Sequence, residues 1–428
     1  MSFQITENVK FVGKIDWALR KFHGEQLSTN KGSSYNAYLI QDKKSVLIDG
    51  VWGPFAKEFI DNLEKIIGVK NIDYVVALHA EPDHSQALAN ILEIKPDMPI
   101  YCSQNATKSL KGYYHKDWNF VTVKTGDKLN INNNINDNIN DSKKNDNDTN
   151  NTNTNNNANI NSNNANLIFV EATMLHWPDQ MMTYFDKDKI LFSSDVFGQH
   201  LASEFMYDDK VDISELHFEA LKYYANIVAP YSKKVIAKLD EMKTLNLPIS
   251  IIAPSHGILW KNNPEYIINK YSEWANEYKE NQITIIYDTM YGSTRKMAEA
   301  LADGIKQKDI NATVKLFNLS TADNSDVIAE TFRSKAILVG SPTYNNGILN
   351  AIAAYLEELK GIRLSNKKAA AFGSFGWASA SPKVISKMLT ESGFEIFEPN
   401  FIAVNWNPTE DALNECKEFG SKFAEFCK

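Results

Sequence analysis

The segment His79-Ala80-Glu81-Pro82-Asp83-His84 holds four potential metal ligands in six positions, directly after the apolar run Tyr74-Val75-Val76-Ala77-Leu78. Two imidazoles and two carboxylates at such density suit one or two cations. Three further residues share the setting of an apolar run that ends in a polar turn. His176 stands in MLHWPD after LIFVEA, Asp195 closes ILFSSD, and His256 follows SIIAPS. A lone histidine at a strand end is ordinarily a satisfied polar residue, and Asp83 beside Pro82 is an ordinary turn residue. Seven such residues in one kind of setting are harder to explain that way, and they take four of the eight histidines. His23 (KFHGE) and His200 (FGQHLA) are candidates for proton donors or partners that surround the ligands. His115 and His217 lack comparable context and read as surface or packing residues.

A second kind of chemistry is written in Thr289-Met290-Tyr291-Gly292-Ser293-Thr294, which follows the buried run ITIIYD and opens a helical pattern. Small residues let the backbone wrap a phosphate, with amides and the helix dipole favouring the anion. The GK[ST] ending of a triphosphate loop and the GxGxxG of a dinucleotide fold are both absent. Thr289, Ser293 and Thr294 offer hydroxyls to a monophosphate. Two later segments, GSPTYNNG and GSFGW, set Pro342, Thr343, Tyr344, Asn345, Asn346, Ser374, Phe375, Gly376 and Trp377 at further strand ends. Doubly wound sheets bind ligands at such ends.

These residues need rigid elements behind them. SYNAYLI, KSVLID, DYVVAL and MPIYCS read as strands, and GPFAKEFIDNLEKIIG reads as an amphipathic helix. Their alternation gives an α/β layer architecture over residues 1–280. From Ile283 onward TVKLFNL, AILVGSPTY, KKAAAFGSFGW and FIAVNW alternate with helical stretches, the pattern of a doubly wound parallel sheet over residues 281–428. Between NFVTVKTGDKLNI and ANLIFVEATML, 20 of the 37 residues from 130 to 166 are asparagine. Such composition cannot offset its ordering entropy, so a disordered insertion at a hairpin tip is expected.

At 428 residues two or three domains are expected, and 43% hydrophobic residues supply sizeable cores. A net charge of −8 disfavours a phosphate-tracking surface, so no nucleic-acid partner is expected. Three scattered cysteines, Cys102, Cys416 and Cys427, give neither a disulfide framework nor a thiolate metal site. With no signal-peptide pattern and no long apolar run, a cytoplasmic location away from the membrane is expected.

The order HxExDH, H, D, H resembles the metallo-β-lactamase-like domain of flavodiiron proteins, and MLHWPD, PSHG and VGKIDWALRKFHG are similar to that family's signatures. Hydrolases of the same superfamily carry HxHxDH, with histidine where this chain has Glu81. The substitution is physically telling, because imidazole-rich sites suit zinc and added hard carboxylates suit iron. The three phosphate-and-ring loops resemble flavodoxin. The resemblance implies an N-terminal metallo-β-lactamase-like αββα sandwich followed by a flavodoxin-like sheet, with FMN and two Fe as cofactors. It places His79, Glu81 and His176 on one iron, Asp83, His84 and His256 on the other, and Asp195 between them. Tyr344 and Trp377 would border the isoalloxazine, and Asn345 would bond its polar edge.

The implied activity is reduction of O2 to water, with reduction of NO to N2O as a second activity. The alternative is a zinc-dependent hydrolase with an appended flavodoxin domain. The resemblance further implies a head-to-tail homodimer or a dimer of dimers. Without CxxC pairs no rubredoxin module is expected, so electrons would come from a separate donor such as rubredoxin or a reduced deazaflavin.

Overall fold

The computed structural model describes residues 2–132, 165–364 and 366–428. Most of the disordered insertion expected over residues 130–166 therefore lies outside the described residues, but the expectation fails at its two ends, where Asn130 and Asn166 belong to paired strands. The chain divides into two compact units. One comprises Met1–Arg20, Thr29–Ala220 and Lys234–Tyr271, and the other Lys21–Ser28, Leu221–Lys233 and Ser272–Lys428. The second therefore draws two short segments from the span that the sequence reading gives to the first domain. Ser28 Oγ lies 2.8 Å from Ser325 Oγ, and the buried Lys222 Nζ donates to Ser28 Oγ at 2.7 Å.

Among the described residues the first unit is built on two large sheets, with a two-stranded pair of Lys14–Asp16 and Ser33–Tyr35 beside them in the chain. One runs Phe3–Gln4, Val9–Phe11, Tyr38–Gln41, Ser45–Ile48, Tyr74–Val76, Ile100–Ser103, Phe120–Val123 in spatial order. The other runs Lys128–Asn130, Asn166–Glu171, Met181–Phe185, Ile190–Ser194, Ile251–Pro254. Tyr74–Val76 is buried throughout and pairs in parallel on both sides, which is why it reads as an unbroken apolar run. The helix Ala56–Ile66 buries Ala56, Phe59 and Leu63, the spacing of one helical face. The sheets meet through Tyr38, whose ring lies 5.1 Å from that of Phe192 and whose hydroxyl donates to Pro254 O at 2.6 Å. The strands that flank the asparagine-rich stretch do form a hairpin, with Asn130 opposite Asn166 and Ile131 N–H donating to Ala165 O at 2.9 Å.

The second unit is a parallel sheet in the order Thr313–Asn318, Glu280–Tyr287, Ser334–Gly340, Lys368–Phe375, Glu395–Asn405. Numbered along the chain this is 2-1-3-4-5, so the order reverses between Glu280–Tyr287 and Ser334–Gly340, where ligands of such sheets bind. Helices Ser293–Lys308 and Glu410–Phe426 press together at Gly304 and Gly420. A Cβ on Gly304 would stand 1.9 Å from Lys417 O, and one on Gly420 2.3 Å from Leu301 O. Among the described residues no helix is long and apolar enough to cross a membrane.

Candidate metal centre and flavin site

All seven expected ligands come from the first unit. His79 and Glu81 leave the strand Tyr74–Val76 by a short loop, and Pro82 starts the helix Pro82–Ile94, whose first turn carries Asp83 and His84. Asp195 follows the strand Ile190–Ser194, and His256 the adjacent, parallel Ile251–Pro254. His176 lies in the connection between Asn166–Glu171 and Met181–Phe185.

The side chains fall into two groups, His79 with Glu81, His176 and Asp195, and Asp83 with His84 and His256. Within each group one ligand atom per residue lies within 4.8 Å of the others. Asp195 also reaches the second group. Its Oδ2 is 3.5 Å from Nε2 of both His79 and His176, while its Oδ1 is 3.2 Å from His84 Nε2 and 3.5 Å from His256 Nε2. One carboxylate thus faces both groups, an oxygen to each.

Partners on the far side aim the rings. His79 Nδ1 lies 2.8 Å from Asp179 Oδ2, which also accepts from Ala80 N–H at 2.8 Å. His256 Nδ1 donates to Ser34 O at 2.7 Å. Both rings therefore present Nε2 inward. Burial alone would lower the His79 pKa, but hydrogen bonds to Asp179 and Glu81 and the charge of Asp195 outweigh it and hold it well above the usual value. For His84, burial is likewise overcome, by Asp83 and Asp195, and the pKa rises to about 10. Asp195 shows the reverse: burial would raise it, yet the His84 charge and the His176 hydrogen bond hold it well below the carboxylate range.

The donor set fits metal ions. Both Asp83 oxygens, His84 Nε2 and Asp195 Oδ1 are buried and face only other members of the two groups, without well-formed hydrogen bonds, an arrangement that cations between the two groups would satisfy. Three carboxylates among seven ligands make the set hard and anionic, which favours iron over zinc.

His200 is buried with Nδ1 2.6 Å from Ser33 Oγ, and its ring lies 5.0 Å from that of His256. It adjoins the ligands, as the sequence suggests. His23 is exposed on the Lys21–Phe22/Leu27–Ser28 hairpin of the second unit. His217 accepts from or donates to Tyr266 Oη at 2.7 Å. Asp179 and Ser34 were not singled out by sequence. For Asp179 a signal existed, since it closes the same MLHWPD motif that carries His176.

In the second unit the three loops lie at the carboxyl ends of strands on either side of the order reversal. Gly292 takes φ 86°, open to glycine at little cost, and caps the helix Ser293–Lys308 without a side-chain hydrogen bond. Such an uncapped first turn offers backbone amides suited to an anion. Gly292 N–H donates to Thr289 Oγ1 at 3.0 Å, so Thr289 shapes the loop. The hydroxyls do not all face outward: Thr294 is buried, with Oγ1 3.1 Å from Ser374 Oγ, and ties two loops together. Asn345 and Asn346 have φ of 49° and 56° and form a two-residue turn closed by Tyr344 and Gly347. Thr343 Oγ1 accepts from Ala380 and Ser381 N–H, both at 3.1 Å, and so braces the loops. Tyr291 and Trp377 are 93% and 90% exposed, with Met290 and Tyr344 about half exposed, an apolar rim suited to a planar ring. Trp406, absent from the sequence reading, joins that rim 6.3 Å from Trp377. These features fit a flavin mononucleotide.

A family model described as ODP family beta lactamase matches residues 34–257, and one described as Flavodoxin matches residues 285–420. Curated relatives named anaerobic nitric oxide reductase flavorubredoxin match 99% of the chain. The Vibrio vulnificus protein is 44% identical with 80% of its length covered, and the Aliivibrio fischeri protein 45% identical with 79% covered. Among solved structures, the flavodiiron protein of Giardia intestinalis superposes with TM-score 0.88 at 29% identity, covering 100% of this chain and 97% of that one. This chain belongs to the flavodiiron family. The rubredoxin oxygen:oxidoreductase of Desulfovibrio gigas agrees, with TM-score 0.89, 32% identity and coverage of 100% and 98%. The flavodiiron fold here is thus a metallo-β-lactamase-like domain followed by a flavodoxin domain.

Proposed function

We propose that this flavodiiron protein takes electrons from an external donor and reduces dioxygen to water, nitric oxide to nitrous oxide, or both. It is an oxidoreductase whose cofactors are FMN and two iron ions. When bound, FMN supplies exchange between two-electron and one-electron transfer, and the irons supply open coordination positions for a diatomic oxidant. The observation that carries the reading is Asp195, with one oxygen turned to each of two imidazole–carboxylate groups.

The chain's own residues have separable tasks. His79, Glu81 and His176 would hold one ion and Asp83, His84 and His256 the other, with Asp195 shared. Asp179 fixes the ring of His79, and the Ser34 carbonyl fixes that of His256, so neither imidazole must reorganise during turnover. Burial of six of the seven ligands to 11% exposure or less keeps bulk water from the site, and Glu81 is close behind at 13%. In the second unit the uncapped turn after Gly292 would take the phosphate. Tyr344 and Trp377 would border the ring, and Asn345 would bond its polar edge.

The names of the curated relatives give nitric oxide reduction at least equal standing with dioxygen reduction, where sequence alone puts dioxygen first. The Desulfovibrio name supports rubredoxin as the class of donor, with reduced deazaflavin the other candidate. A cytoplasmic location and a head-to-tail homodimer or dimer of dimers complete the proposal. The zinc hydrolase alternative is disfavoured by Glu81 and by the family assignment. Steady-state consumption of dioxygen and of nitric oxide, with rubredoxin and reduced deazaflavin supplied in turn, tests it. Turnover of at least one oxidant with one of these donors is expected, and none with either would contradict the reading.

A further inference from the structure

Gln180 follows Asp179 and is fully buried. Its Nε2 lies 3.0 Å from Asp195 Oδ2 and 3.2 Å from Ser194 Oγ. An ionised carboxylate only accepts, so the amide must turn an N–H toward Asp195. Its own carbonyl, Oε1, has no hydrogen-bond partner among the described residues. An unpartnered buried carbonyl is destabilising, and an apolar side chain of the same length would fill the space without it. Packing alone does not account for this glutamine.

The contact is one-sided. Oδ2 is the Asp195 oxygen that faces His79 and His176, whereas Oδ1, which faces His84 and His256, takes no hydrogen bond from outside the seven ligands among the described residues. We propose that Gln180 is a positioning residue that makes the two oxygens of Asp195 unequal donors. This inference rests on the reading of the seven ligands as a diiron site. A hydrogen bond draws charge from the oxygen that accepts it, so Oδ2 stabilises a ferric ion less than Oδ1 does. The iron held by His79, Glu81 and His176 is then the easier of the two to reduce. Gln180 thereby sets the order in which the pair fills, through a contact that touches neither oxidant nor flavin.

The test is an anaerobic redox titration of the whole protein, followed by electron paramagnetic resonance, with iron and FMN counted per chain. Gln180→Met keeps the length and removes the N–H. The higher of the two iron potentials should fall, by about 59 mV for each tenfold gain in relative ferric stabilisation, and the gap between the steps should narrow. Ser194→Ala removes the other partner of the amide and should leave both steps in place. The FMN potentials should not move in either variant. Gln180→Met protein with two irons and unmoved potentials overturns the role of Gln180 and leaves the diiron reading intact. Parent protein without iron overturns the reading beneath it. Should Gln180→Met lose iron, Gln180→Leu is read the same way. Iron lost from both, with FMN content and melting temperature kept, counts against the proposal, since Gln180 would then serve to hold an ion and not to order the two.

Discussion

Replacement of Asp179 by asparagine isolates the support of one ligand. Asp179 is fully buried, and its Oδ2 accepts from His79 Nδ1–H and Ala80 N–H, each at 2.8 Å. Both neighbours are donors, so the asparagine would keep its oxygen toward them and lose only the negative charge. Hydrogen bonds to charged groups contribute about 1.5–3 kcal/mol against about 0.5–1.5 for neutral pairs, a difference near 1–1.5 kcal/mol. At about 1.4 kcal/mol per tenfold, that is roughly a tenfold loss of affinity for the ion proposed at His79, Glu81 and His176. The range of about 10–100-fold common for such supporting residues contains it. The amide NH2 would replace Oδ1, which has no hydrogen-bond partner among the described residues, so a modest loss of stability should accompany the change. The assay is anaerobic competition for ferrous iron against a chromophoric chelator, with a thermal melt alongside to separate affinity from folding. Affinity unchanged within about twofold in a folded variant would refute the claim that Asp179 tunes His79.

Gly292→Ala should destabilise the fold by about 1–2 kcal/mol, because the left-handed conformation at φ 86° costs an alanine about that much while the added Cβ meets nothing within 4 Å. Chemical denaturation of the flavin-free protein measures this, and an unchanged unfolding free energy would contradict it. Replacing residues 133–164 by an Asn-Gly turn should leave iron and FMN content unaltered, since Asn130 and Asn166 already pair as a hairpin; loss of either cofactor on elemental and flavin analysis would oppose this. Metal uptake at neutral pH should release protons, because the raised pKa values of His79 and His84 keep those imidazoles protonated in the metal-free fold. Apparent affinity should therefore rise with pH toward about 10, the value for His84, and binding heats that do not depend on buffer ionisation would count against it. The same shifts fix the stability of the metal-free protein. The raised imidazoles contribute fully below their ordinary value near 6.5, and that contribution is lost as pH rises through their folded values. The lowered Asp195 and Asp179 contribute above the carboxylate range, and theirs is lost as pH falls through it. Melting temperature should decline on both sides of neutrality.

The seven residues that the structure brings together were legible because chemistry at strand ends leaves a local mark. His79, Asp195 and His256 each follow an apolar run that the fold buries as a strand, and Pro82 marks the helix start that carries Asp83 and His84. The division of the ligands into two groups was not local. It depends on the parallel pairing of Ile190–Ser194 with Ile251–Pro254, which sets Asp195 beside His256. Sequence pattern gave the order of strands and helices in the second unit but could not assign Lys21–Ser28 and Leu221–Lys233 to it. Those segments are held by Ser28, Lys222 and Ser325, polar residues without periodicity. Trp406 was missed for a similar reason. It lies in the last strand-to-helix loop and meets Trp377 only through the pairing of Lys368–Phe375 with Glu395–Asn405. Thr294 shows the converse, since its type suited an anion and its packing turned it to Ser374.

The central claim is that two carboxylate-rich groups joined by Asp195 hold a pair of irons that serve a flavin. Elemental and flavin analysis of protein purified without added metal tests it most directly. The account predicts about two iron ions and one FMN per chain, iron being the metal that the hard, anionic donor set favours over zinc. About two zinc ions with no iron would contradict it.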